Sequence, residues 1–219
     1  MDRTINVQGT GSVSVSPDTV VLNLSVTGRD PAYEAAVEKN QTRVAALTDA
    51  AVQAGFDKED LKTTRFNVST EYEGVQEPGG VYKNVLVGYI CQQDLRLRFP
   101  FTAEALAKTL SALGGSGAEP ELHISFTVKE PEAVREQLLR SAAENARAKA
   151  EILCAASGVR LGALLRIDYH WSEEELRSET ALFRTGNGLM AKAAAFDNFT
   201  PEMIEKTDSA GFVWAISDP

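Results

Sequence analysis

Two helical stretches lined with alanine, set among runs that alternate at every second residue, constrain this chain more than any other feature of its sequence. The longer opens at Glu130-Pro131, where proline suits the first helical position, and steps through Val134, Leu138, Ala142, Ala146, Ala150 and Leu153 until Gly158 ends it. The other follows Asp30-Pro31 and ends at Gly55, with Ala36, Val44, Leu47, Ala51 and Ala54 on its core stripe and Asn40 on the same line. Alanine faces let a helix lie close to its neighbour, so both helices are predicted to pack tightly on a sheet.

The strands are read from period-two alternation. Residues 9–16 alternate small polar with apolar residues, Pro17-Asp18 interrupts them, and Val20, Leu22, Leu24 and Val26 resume the pattern, which reads as a hairpin over 9–26. Phe66, Val68 and Thr70 alternate next, and 85–99 is a long extended run; the two pair as a second hairpin through the turn formers of 73–80. Thr102 caps a short helix through Leu106 and Leu110, which ends at Gly114-Gly115-Ser116-Gly117. Leu122, Ile124, Phe126 and Val128 then alternate with His123, Ser125 and Thr127. Leu165, Ile167 and Tyr169 mark a further strand, and Phe212, Trp214 and Ile216 the last. Residues 172–205 show no sustained period and read as an irregular excursion with a short helix near 189–195.

This order embeds a βαββαβ unit. It predicts an α+β fold with a mostly antiparallel sheet and helices on one face. The ferredoxin-like core is extended by an N-terminal hairpin strand and a C-terminal αββ, all in a single domain over 1–219. A length of 219 residues with 43% hydrophobic content suits one large core better than two.

Composition then removes function classes. A formal net charge of -9 repels a phosphate backbone, so nucleic acid is not an expected partner. No apolar run approaches the roughly 20 residues of a membrane span. Met1-Asp2-Arg3 is followed by no apolar leader, which gives the expectation of a cytoplasmic location. Cys91 and Cys154 sit in apolar runs, far apart, and read as buried free thiols.

The search for chemistry nominates no catalytic, cofactor-binding or metal residue. His123 and His170 fall opposite the core positions of their strands, with no nucleophile placed beside them. Asp168, His170, Glu173 and Glu174 come nearest to a metal cluster, but strand spacing puts only Asp168 and His170 on one face. Gly9-Thr10-Gly11 has no helix after it, and Gly114-Gly115-Ser116-Gly117 follows a helix and precedes a strand. Neither has the order of a phosphate-binding loop, and they read as a bulge and a flexible turn. Arg96 and Arg98 alternate on the exposed face of one strand, as a patch for another subunit's carboxylates or as a solvated face.

Several segments taken in order resemble the SIMPL-domain family, which includes periplasmic immunogens and oxidative-stress defence proteins of Gram-negative bacteria. They are Ile5-Asn6-Val7-Gln8-Gly9-Thr10-Gly11 leading into Ser16-Pro17-Asp18, Asn40 in the first helix, Gly55-Phe56 before Leu61-Lys62-Thr63-Thr64, and Gly88-Tyr89 with Gln92. Ala142, Ala143, Ala146, Lys149 and Ala150 follow, and then Leu161-Gly162. The resemblance covers most of the chain. It implies an α+β fold, homo-oligomerisation into ring- or channel-like assemblies in some members, and no catalytic residues to carry over.

The resulting expectation is a bacterial protein that is not an enzyme, binds no cofactor and acts as a homo-oligomer or through a protein partner. Its candidate contact surfaces are the hairpin 9–26, the loop 73–80 and the excursion 172–205. The alternative is a small-molecule binding module on the open sheet face or a subunit interface, near Tyr72, Tyr89 or Trp214. An enzyme would have Cys91 or Cys154 as its only evident thiol nucleophile.

Overall fold

The computed structural model describes residues 3–76, 82–170, 175–184 and 199–219. Among them the elements run β1 (Thr4–Val15), β2 (Thr19–Asp30), α1 (Tyr33–Ala54), β3 (Lys62–Gln76), β4 (Tyr82–Pro100), α2 (Ala103–Gly115), β5 (Glu121–Thr127), α3 (Pro131–Ala156), β6 (Arg160–Asp168), β7 (Arg177–Arg184) and β8 (Ile204–Ser217). The fold is α+β with mainly antiparallel pairing, as the alternation predicts. The chain divides into two compact units, one from the described residues within 1–17, 127–179 and 201–219, the other from those within 18–126 and 180–200. Each has its own apolar clusters, where composition had suggested one large core.

In the unit built around 18–126 the sheet order is β3-β4-β2-β5-β7, with β4 antiparallel to both β3 and β2. Alternation on β2 buries Val20, Leu22, Leu24 and Val26. They meet Leu95, Leu97 and Phe99 of β4 and Leu122, Ile124 and Phe126 of β5, under Leu47 of α1 and Leu106, Leu110 and Leu113 of α2. Thr102 caps α2 as its sequence requires, its hydroxyl accepting the Ala105 N–H at 3.0 Å. Gly55 ends α1 in the left-handed conformation, φ 106°. The start of α1 lies later than Asp30-Pro31 implies. Ala32 is the N-cap, and Asp30 instead accepts the Ala32 N–H through its carboxylate at 2.9 Å.

The other unit holds a three-stranded sheet of order β1-β8-β6 beneath α3. β1 and β8 pair antiparallel from Thr4↔Ala215 to Val15↔Ile204 without a slip. The expected hairpin over 9–26 is therefore wrong: β1 and β2 share no ladder, and Ser16-Pro17-Asp18 links strands of different sheets. The buried row of α3 runs Val134, Leu138, Ala142, Ala146, Ala150 and then Cys154, because a step of four from Ala150 lands there; Leu153 is exposed. On β6, Leu165 and Ile167 are exposed as well, as is Tyr169 just past its end.

The excursion 172–205 is also revised, since Arg177–Arg184 forms strand β7 and β8 begins at Ile204. The helix expected near 189–195 lies outside the described residues.

Candidate interaction surfaces

Three glycines set the geometry of the first surface. A Cβ on Gly9 would stand 2.0 Å from the Ala142 carbonyl oxygen, one on Gly11 2.1 Å from that of Leu138, and one on Gly28 2.3 Å from that of Ala36. Helix backbone thus rests directly on β1 and on β2. The unbroken β1–β8 register shows that Gly9-Thr10-Gly11 is not the bulge its sequence suggested; it is a seat for α3.

At this separation even short helix side chains reach strand backbone. On α3, Asn145 Oδ1 accepts the Thr10 N–H at 3.0 Å, Ser141 Oγ lies 3.5 Å from the Ser12 amide nitrogen, and Lys149 Nζ donates to the Gln8 carbonyl at 3.2 Å. On α1, Arg43 Nη1 donates to the Thr27 carbonyl at 2.7 Å and Lys39 Nζ to the Arg29 carbonyl at 3.3 Å. Lys39 also pairs with Asp30 at 2.6 Å, and that bond, with the Ala32 N–H behind it, holds the Asp30 carboxyl below its ordinary range. Asn40, fully buried between the same elements, donates through Nδ2 to the carbonyls of Val26 at 3.0 Å and Cys91 at 3.1 Å, while its Oδ1 finds no partner among the described residues.

A second surface is the polar face of the five-stranded sheet. Asp94 is its centre, accepting from Ser25 Oγ at 2.8 Å and Gln92 Nε2 at 3.2 Å, with Arg65 Nε at 3.4 Å. Arg96, exposed as its alternation implied, donates to Asn23 Oδ1 at 3.1 Å. These residues line a shallow cleft of about 580 Å³ with Glu121 and His123.

The third is the outer reach of the β3–β4 hairpin. β2 stops pairing with β4 at Asp30↔Tyr89, yet β4 begins at Tyr82 and continues against β3 alone. Tyr72, Val75, Tyr82, Val85 and Leu86 are exposed on this two-stranded ribbon. Of the aromatic residues considered for a ligand pocket, Tyr72 is on the ribbon, Tyr89 packs edge-on against Tyr33 at 5.7 Å, and Trp214 stacks on Phe212 at 5.5 Å.

Both cysteines are buried and free, and burial pushes the Cys91 thiol up. In the native protein both are expected to react with a thiol reagent at least a hundredfold slower than after denaturation. Fast native labelling would reverse this reading. His123 is half-buried and His170 exposed. Asp168 pairs with Arg166 at 2.8 Å, and the remainder of the acidic group considered for a metal, Glu173 and Glu174, lies outside the described residues. Among the described residues no three His, Cys, Asp or Glu side chains are grouped to hold an ion, and no helix is long and apolar enough to cross a membrane.

Helices seated on glycine strands, a polar sheet face and a projecting ribbon define an α+β protein whose distinctive features are surfaces. The chain belongs to the SIMPL family, described as a protein of unknown function (DUF541), whose pattern matches residues 5–214 and so spans both units. It is 29% identical over 163 residues to the 26 kDa periplasmic immunogenic protein of Brucella melitensis biotype 1, a match covering 74% of this chain and 65% of that protein. The Brucella abortus protein of the same name is 28% identical with the same coverage. The uncharacterized protein YggE of Edwardsiella ictaluri is 28% identical over 214 residues, 95% of this chain and 85% of that one. The chain thus spans 65% of the length of the Brucella proteins it matches. Their names correct the expected cytoplasmic location and point to the periplasm. The opening residues could not decide this, and two buried thiols persist in either compartment.

Proposed function

We propose that this protein works without catalysis, in the periplasm, by assembling with further copies of itself or with a protein partner. The β3–β4 ribbon carries the reading. A two-stranded hairpin is marginal by itself in water, and this one presents Tyr72, Tyr82, Val85 and Leu86 to solvent past the end of β2. Contact with another chain would bury those side chains and hold the ribbon. The periplasmic setting follows the names of the Brucella relatives.

Light scattering after size exclusion is expected to give a multimer that persists across concentration and salt. Tyr82→Glu combined with Leu86→Glu should reduce its mass while leaving the circular dichroism spectrum unchanged. A native monomer at every concentration would remove the homo-oligomer, and retention of the native mass by the variant would clear the ribbon.

The cleft around Asp94 favours a second reading, a binding module for a small polar molecule, because it offers fixed Arg, Gln and Ser groups in a volume of ligand size. A flat thermal-shift response across a metabolite library would remove it.

A further inference from the structure

The contacts of α3 with β1 and of α1 with β2 follow one rule. On each helix the residues that touch strand backbone at its open side, Ser141, Asn145 and Lys149 or Lys39 and Arg43, are spaced by four. They stand one position before residues buried or half-buried on the strand: Ala142, Ala146 and Ala150, or Asn40 and Val44. The strand residues they meet are spaced by two, Ser12, Thr10 and Gln8 or Arg29 and Thr27. Four helical residues advance about 6.0 Å and two strand residues about 6.6 Å, so a helix seated on a glycine strand can offer one side chain to each outward-facing strand residue.

Both strands need such cover. β1 is an edge of its sheet and runs 12 residues without proline. β2 is flanked by β5, but β5 has 7 residues against its 12, and Thr27, Gly28 and Arg29 border a groove with Lys39, Arg43 and Glu121, the first residue of β5. An uncovered reach of strand offers its N–H and C=O groups to any second strand. We propose that these helix side chains are edge clasps: they occupy one outward backbone group at each of Gln8, Thr10 and Ser12 of β1 and Thr27 and Arg29 of β2, and keep both strands from pairing with a second copy of the chain. The proposal goes beyond assembly through the ribbon, since it names the edges that are withheld from assembly, and it stands if the native protein is a monomer.

The test is sedimentation velocity of native protein, of Asn145→Ala with Lys149→Met, and of Lys39→Met with Arg43→Met, the last pair changing one exposed and one half-buried side chain of the other unit. Each variant is expected to associate beyond the native state at concentrations at least tenfold lower than those at which native protein does. Thr10→Pro, added to the first variant, removes an outward N–H without touching the ladder to β8 and should return it to native behaviour. Native sedimentation by both variants, or extra association that survives Thr10→Pro, would overturn the proposal. A change in the native mass itself on altering the ribbon reports on the assembly reading alone.

Discussion

Gly9→Val is expected to cost about 3 kcal/mol or more and to disorder the packing of α3 on its sheet, a larger effect than most single substitutions have. The first added carbon alone would lie 2.0 Å from the Ala142 carbonyl oxygen and 2.6 Å from Ala146 Cβ, and the nearest of these is helix backbone, which no rotamer change relieves. Either α3 lifts from β1 or the strand leaves its ladder with β8. Lifting would uncover Val7, Phe212 and Trp214, now buried under Ala146 and Ala150. Urea unfolding followed by tryptophan fluorescence would read the change, with Gly115→Ala as the control, since nothing lies within 4 Å of a Cβ there. If Gly9→Val unfolded at the same urea concentration as the control, the seat would tolerate a side chain and the account of α3 packing would be wrong.

Asn40→Asp should be as damaging at neutral pH and should carry a signature that Gly9→Val lacks. Asn40 Nδ2 supplies hydrogens to two carbonyls, Val26 and Cys91, in a site with no exposure. A carboxylate there would supply none and would set a buried charge against two acceptors, at a cost of about 3 kcal/mol or more. A protonated carboxyl could restore one donor, so the folded state would raise the pKa of the new group above its unfolded value near 4. The folded variant then binds a proton more tightly than the unfolded chain. Its deficit relative to native protein must grow as pH rises through the unfolded pKa and level off above the folded one. Urea midpoints of both proteins between pH 4 and 8 would show this, and a deficit independent of pH would mean that the site admits water or that α1 shifts to expose the group.

The sequence made element type legible wherever burial has a strong period. The buried face of α1 is Ala36, Asn40, Leu47, Ala50, Ala51 and Ala54, close to the stripe read from spacing, and Thr102 caps α2 as expected. Partnership was not legible. Alternation says that 4–15 and 19–30 are strands, but only the complete fold says that Thr4 faces Ala215 and that Asp30 faces Tyr89. Strand β7 escaped notice because its buried position near the start, Ser178, is polar. The same limit hid the surfaces. Gly9 and Gly11 could be seen as unusual within a strand, but what they admit is a helix more than 100 residues away in sequence, as the 135-residue separation of Thr10 and Asn145 shows. One signal was available for the clasps: Ser141, Asn145 and Lys149 are polar residues spaced by four beside an alanine row.

The pairing of β1 with β8 also sets a timetable for synthesis. One unit draws chiefly on the continuous stretch 18–126, whose strands and helices can close on one another as soon as they are made. The other takes its first strand from the start of the chain, its helix from the middle and its central strand from the end. β1 therefore emerges before the rest of its unit and waits longest for its partners. Its seat on α3 forms only after residue 149, and its ladder only once 204–215 have appeared. Through that interval the strand most in need of cover has none of its own.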